Sequence, residues 1–260
     1  YAFDSKLSKS DFVSQLIDGL LPPPGYFGLN VALNKSGYDN IDEVINRGLN
    51  PLNLESFKGL SGDSEVMILD TRTASDFAEG HIPGSLFVGL EGQFAPWVGA
   101  VIPDIKQRLV LISPVGKEEE TVRRLSRVGY DQVIGYLRGG FQAWSGNNEN
   151  IASVNRMNVT DLLDLDISST TIVDVRKPLE HEASHINDAI LLPLDFINNN
   201  INDYPNAPFI LHCAGGYRSM IAASILKKNG IHDIKDVIGG FNAIPENAEI
   251  TSTFVCPNGG

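Results

Sequence analysis

Short apolar runs rich in β-branched residues alternate along this chain with stretches whose apolar positions recur at helical spacing. In the second half the pattern predicts a helix around Asn158–Leu165, a strand at Thr171–Val175, a short helix opening at Pro178 and an apolar strand through Ile190–Leu192. A strand at Phe209–His212, a helix from Ser219 to Lys228 and a strand at Ile234–Val237 complete that half. The first half predicts strands near Val66–Leu69 and Arg108–Ile112, a helix over Glu118–Val128 and a strand near Gln132–Tyr136. Gly129 and Gly230 sit where a helix stop is expected. Strands and helices alternating in units this short predict an α/β fold, each unit a mostly parallel sheet flanked by helices.

The two halves are copies. Val66 to Arg72 reappears as Thr171 to Arg176, and Asp70 and Arg72 map onto Asp174 and Arg176 at a constant offset of 104. The same offset carries Asp76 to Glu180 and His81 to His185, and a Gly-Gly-Phe recurs at Gly139–Phe141 and Gly239–Phe241. A repeat of roughly a hundred residues has the size of a domain rather than of a solenoid turn. The expected division is one domain over 58–148 and one over 151–256, with the Asn- and Gly-rich stretch Gly146–Asn150 as linker. Residues 1–57 match neither copy. Their tri-proline at 22–24 reads as an extended strap, with a helical stretch near Ile41–Asn46.

Composition narrows the classes. The chain is 42% hydrophobic and 20% charged, as expected of a globular protein, and its net charge of −12 with no basic stripe argues against nucleic acid. No apolar run is long enough to span a bilayer, and no basic-then-apolar leader is visible, so no membrane partner is expected. Two cysteines, Cys213 and Cys256, in 260 residues are not a disulfide scaffold and suit a reducing cytoplasm. The five histidines lack ligand spacing, so no metal is expected within the chain. The first residue is Tyr1, which suggests a piece of a longer protein. A homo-oligomer is compatible with the composition.

Chemistry concentrates in one stretch, Phe209 to Ser224, where a buried strand runs into Cys213-Ala214-Gly215-Gly216-Tyr217-Arg218 and then a helix. Ligands of open parallel sheets bind where loops leave the carboxyl ends of strands. Gly215 and Gly216 let successive backbone N–H groups curl inward as an anion nest. The helix N-terminus adds partial positive charge and Arg218 a full one, so all three favour thiolate over thiol at Cys213. Asp174, Arg176 and Glu180 invite a triad reading, but the same residue types stand in the first copy. Arg176 is therefore expected to pair with an acid and pin the loop, with Asp174 and Ser219 as structural support. His185 and His212 are expected to be structural too.

Cys213 to Ser219, the Asp174-Val175-Arg176 strand end, the Glu180-to-Ala189 segment and the late Gly-Gly-Phe together resemble the rhodanese sulfurtransferases. The resemblance implies that Cys213 carries a sulfane sulfur as a persulfide and passes it to a nucleophilic acceptor. It implies that Ala214, Gly215, Gly216, Tyr217 and Arg218 form the substrate-binding cradle, with Arg218 assisting the anion. Four residues separate Cys213 from Arg218, whereas related phosphatase loops have five, which favours sulfur over phosphate. Donors would be thiosulfate or a low-molecular-weight persulfide; acceptors would be cyanide, sulfite or a thiol. The other class of function is a non-catalytic module bracing a partner domain.

The first copy lacks the nucleophile. Its strand runs into Ile112-Ser113-Pro114-Val115-Gly116, and the Cys position falls at Ile112 or Ser113 depending on a one-residue gap. Pro114 removes a backbone N–H, and Glu118 to Glu120 place acid where an anion would approach, so this copy is expected to be inactive. Residues 1 to about 57 resemble the end of the metallo-β-lactamase-fold domain in persulfide dioxygenase–rhodanese fusions. That resemblance implies an upstream, iron-dependent partner domain whose metal motifs this chain lacks, and no cofactor within the chain itself. Cys256, in a Gly/Pro-rich tail, is expected to be idle.

Overall fold

The computed structural model describes residues 7–18, 27, 28, 31, 35, 37, 40–246 and 248–253; the tri-proline and Cys256 lie outside the described residues. Two five-stranded parallel sheets follow the repeat. The first contains β1 (Pro51–Leu52), β2 (Val66–Asp70), β3 (Leu86–Phe87), β4 (Arg108–Ile112) and β5 (Val133–Leu137), in the order β1-β5-β4-β2-β3. The second contains β6 (Asn155–Met157), β7 (Ile172–Asp174), β9 (Ile190–Leu191), β10 (Phe209–His212) and β11 (Ile234–Val237), in the order β6-β11-β10-β7-β9. Between β7 and β9 the strand β8 (Ser184–Ile186) leaves the sheet and pairs antiparallel with β12 (Thr251–Thr253).

The two orders match strand for strand. Asp70 lies opposite Ile112 in one sheet and Asp174 opposite His212 in the other. β4 and β10 are central because their runs Leu109–Ile112 and Phe209–His212 are buried on both faces, as covered parallel strands require. The loop bearing the candidate nucleophile therefore leaves the middle of its sheet.

The expected boundary at residue 57 falls inside the first unit. The helix Ile41–Gly48 buries Val44 and Ile45, β1 is the edge strand on β5, and the helix Leu54–Ser61 buries Phe57. A two-residue strand is too short to carry a readable period, which is why this part of the unit looked like strap. The helix after Cys213 spans Tyr217–Lys228 rather than opening at Ser219. Gly216, at φ +90°, supplies its N-cap backbone, so the chain enters the helix two residues sooner than the polar-to-apolar switch suggests. The linker is tied down: Trp144 Nε1 donates to Asn150 O, and Ala152 bridges to His81.

One apolar core runs through both units. Phe87, Phe94, Trp97 and Val98 of the first share it with Leu194, Ile197, Met220 and Ile221 of the second. Ser219 to Leu226 are buried without interruption, because the helix Tyr217–Lys228 packs on its own sheet and on β3 of the other unit. A helix apolar on every face is a buried one. On the side toward β3, Ser224 Oγ accepts from Phe87 N at 3.0 Å and donates to Ile221 O. Among the described residues no helix is long and apolar enough to cross a membrane.

Candidate active site

Cys213 follows β10 and is 1% exposed. Gly216 N–H donates to its Sγ at 3.1 Å, a contact that stabilises a thiolate. The loop's shape is set from below by the Gly-Gly-Phe turn. Phe241 N–H donates to Cys213 O at 2.7 Å and Asn242 N–H to Ala214 O at 2.9 Å. Peptides are trans here, so carbonyls drawn down to this turn send the N–H groups of Ala214 and Gly215 to the opposite, open side. A Cβ on Gly240 would lie 2.3 Å from Cys213 O, so only glycine allows that approach. Gly240 is the site residue sequence reasoning missed. Its signal in the sequence is the Gly-Gly-Phe that recurs at Gly139–Phe141 and Gly239–Phe241.

Asp174 and Arg176 sit beneath the same loop. Arg176 donates from its backbone N, Nε and Nη2 to the buried Asp174 carboxylate and from Nη2 to Ser184 O. Its guanidinium lies 4.0 Å over the ring of Phe241, the residue that holds Cys213 O. The first unit repeats the arrangement with Arg72, Asp70, Gly80 O and Phe141. Ser219 Oγ donates to Asp236 Oδ1 at 2.6 Å, fastening the start of the helix to β11. Burial pushes the Asp236 carboxyl up to about 6, against the pull of Ser219 and Arg156.

Arg218 lines the cavity beside Cys213 and is paired with an acid there. Both terminal nitrogens face Glu180, Nη1 to Oε2 at 2.6 Å and Nη2 to Oε1 at 2.7 Å, a two-pronged ion pair. Those bonds hold the Glu180 carboxyl below the usual carboxylate range. Tyr217 belongs to the unit interface: its hydroxyl donates to Gly89 O at 2.7 Å and its ring meets Phe87 edge-on. Cys213, Gly215, Tyr217, Arg218, Lys177 and Glu180 line a cavity of about 460 Å³ whose other wall is Glu91, Gly92, Gln93 and Trp97 of the first unit. That wall comes from the copy without the nucleophile, and no local motif announces it.

His212 is fully buried with its Nε2 unpartnered, and its Nδ1 lies 3.4 Å from Cys213 O and 3.9 Å from Asp174 Oδ1. Burial pulls its pKa down to about 4. The unfolded chain binds this proton from about pH 6.5 downward and the folded chain only near 4, so acid favours unfolding across that window. Replacing His212 by Ile, the type at the matching position 112, should remove up to ~1.4 kcal/mol per pH unit of that slope. Urea titrations at pH 6.5, 5.5 and 4.5 check it; parallel slopes for both chains would contradict it. His181 Nδ1 contacts the same Asp174 carboxylate at 2.9 Å and its ring stacks on His185. Among the described residues no group of three or more His, Cys, Asp or Glu is arranged to hold a metal ion.

The register places Ser113 at the Cys213 position, since Ile112 pairs as His212 does and a Cβ on Gly140 would approach Ser113 O. Ser113 Oγ accepts from Thr71 Oγ1 at 3.1 Å and lies 3.2 Å from Thr121 Oγ1, so its hydroxyl is locked in a buried chain. Glu118 stands at the turn of helix that Arg218 occupies in the second unit.

Comparison with known proteins follows the same division. The model of the rhodanese-like domain matches twice, at residues 53–147 and 159–247. The uncharacterized protein YqhL of Bacillus subtilis is 38% identical over 71 residues, 27% of this chain and 56% of that protein. The putative sulfur carrier protein YrkF of the same organism is 30% identical over 106 residues, covering 40% of this chain and 57% of its own length. The chain thus spans little more than half of these curated relatives. A crystal structure of a rhodanese-like domain protein from Staphylococcus aureus is 33% identical, covering 38% of this chain and 100% of that one at a TM-score of 0.34.

Proposed function

Both halves of this chain belong to the rhodanese-like family, and from that premise we propose that the second half transfers sulfane sulfur through Cys213 while the first does no chemistry. The observation that carries the reading is the Gly216 N–H aimed at Cys213 Sγ, in the lining of a cavity, in the copy that holds a cysteine. The thiolate attacks the outer sulfur of thiosulfate or a low-molecular-weight persulfide. Its lone pair forms the new S–S bond, and the old S–S pair leaves with sulfite or thiolate. Cyanide, sulfite or a thiol then attacks the terminal sulfur of the Cys213 persulfide, forming thiocyanate, thiosulfate or a new persulfide and returning the thiolate. The N–H groups of Ala214, Gly215 and Gly216 stabilise the anionic sulfur in both halves of the cycle. No cofactor takes part in this scheme.

A relative's description as a putative sulfur carrier supports the same chemistry. Membership of a persulfide-oxidising fusion rests on the resemblance of the N-terminal residues, now confined to about the first 40 because 41–57 build the first unit. The iron would sit in the upstream domain. Mass spectrometry after thiosulfate treatment tests the proposal: the expected result is a Cys213 peptide heavier by one sulfur atom. An unmodified Cys213 would leave the second half as a binding module.

A further inference from the structure

The charges around the cavity cancel. Arg218 is occupied by Glu180, and the remaining charged groups lining it are Lys177 and Glu91, one of each sign. The Glu180 side chain is 36% exposed beside an Arg218 side chain that is 15% exposed, so the acid forms the outer face of the pair, toward solvent. An approaching donor therefore meets a carboxylate at Arg218 where an open guanidinium would otherwise stand. Glu91 adds a second carboxylate from the first unit. A doubly charged donor must enter a cup already holding a thiolate and two carboxylates against two cations.

We propose that Glu180, assisted by Glu91, sets the donor specificity of Cys213 by disfavouring dianions, so that the site prefers sulfane-sulfur donors carrying at most one negative charge. This rests on the sulfurtransferase reading above and narrows it. Glu180 acts through Arg218 and through its own field; it is a specificity residue and takes no part in the bond exchange. Its counterpart in the first copy is Asp76, bonded to Thr73, and the residue matching Arg218 there is Glu118, so the Glu180–Arg218 pair has no equivalent in that copy.

Two donors of nearly the same shape isolate the charge. Thiosulfate is a dianion, and methanethiosulfonate carries a methyl group in place of one charged oxygen. Both give the Cys213 persulfide by the same exchange, releasing sulfite or methanesulfinate with the old bonding pair. The ratio of their kcat/KM values, with cyanide as acceptor, is measured for the full chain and for Glu180→Gln. The wild-type chain is expected to favour methanethiosulfonate, and E180Q to shift the ratio toward thiosulfate by about tenfold. General damage to the cradle lowers both rates and leaves the ratio alone. Glu91→Gln, which leaves the Arg218 pair in place, is expected to move the ratio the same way by about threefold. A ratio within about twofold of wild type in both variants overturns the proposal. Failure of both donors to load Cys213 in the wild-type chain instead removes the sulfurtransferase reading and this proposal with it.

Discussion

Replacing Cys213 by serine is expected to abolish the proposed sulfur transfer from thiosulfate to cyanide, by about three orders of magnitude or more, and to leave the melting temperature nearly unchanged. A hydroxyl in the same place is a far weaker nucleophile than a cysteine sulfur, and among the described residues no side-chain base is bonded to that position. His212 lies behind the loop, toward Cys213 O, and its Nε2 meets no partner. The side chain is nearly isosteric, and Gly216 N–H retains an acceptor, so packing hardly changes. Thiocyanate formation measured beside a thermal melt checks both halves of the expectation. Serine at Cys256 should leave transfer intact; a loss of activity there would show that the tail takes part in relaying sulfur.

The second large effect belongs to a residue that touches no substrate. Gly240→Ala should destabilise the second unit by roughly 2–5 kcal/mol and remove most transfer activity. Its φ is +57°, which any side chain resists, and the new Cβ would stand 2.3 Å from Cys213 O and 2.8 Å from Ala214 O. Backbone must move, and the backbone that moves is the cradle. The first unit contains its own control. Gly140 has a similar φ of +60°, but the nearest atom to a Cβ there is Ser113 O at 3.2 Å. Gly140→Ala should therefore cost less, about 1–2 kcal/mol, and spare transfer. Urea unfolding and the thiocyanate assay on the two variants separate strain in the loop from strain in general.

Much of the molecule was readable because its central strands are buried on both faces. Phe209–His212 and Arg108–Ile112 stand where continuous apolar runs put them. The repeat then revealed which polar residues serve the scaffold, and Arg72 and Arg176 do grip their aspartates alike. What failed to show were features made by long-range approach. Pro51–Leu52 becomes a strand only because β5 offers it an edge. Glu180 and Arg218 are 38 residues apart, and nothing local tells the arginine to turn from the cup to the acid. One global feature did leave a trace. Met220-Ile221-Ala222-Ala223-Ser224-Ile225-Leu226 has no polar face, which signals cover on both sides.

That doubly covered helix makes the first unit part of the second unit's core. Its outer side is the floor on which Phe87 rests, and Tyr217, where the loop enters the helix, is held by Gly89. Severed from its twin, the reactive half would open an oily seam to water at the root of its own nucleophile. The first half acts as a solvent barrier for the second, and its removal is expected to be felt first as insolubility.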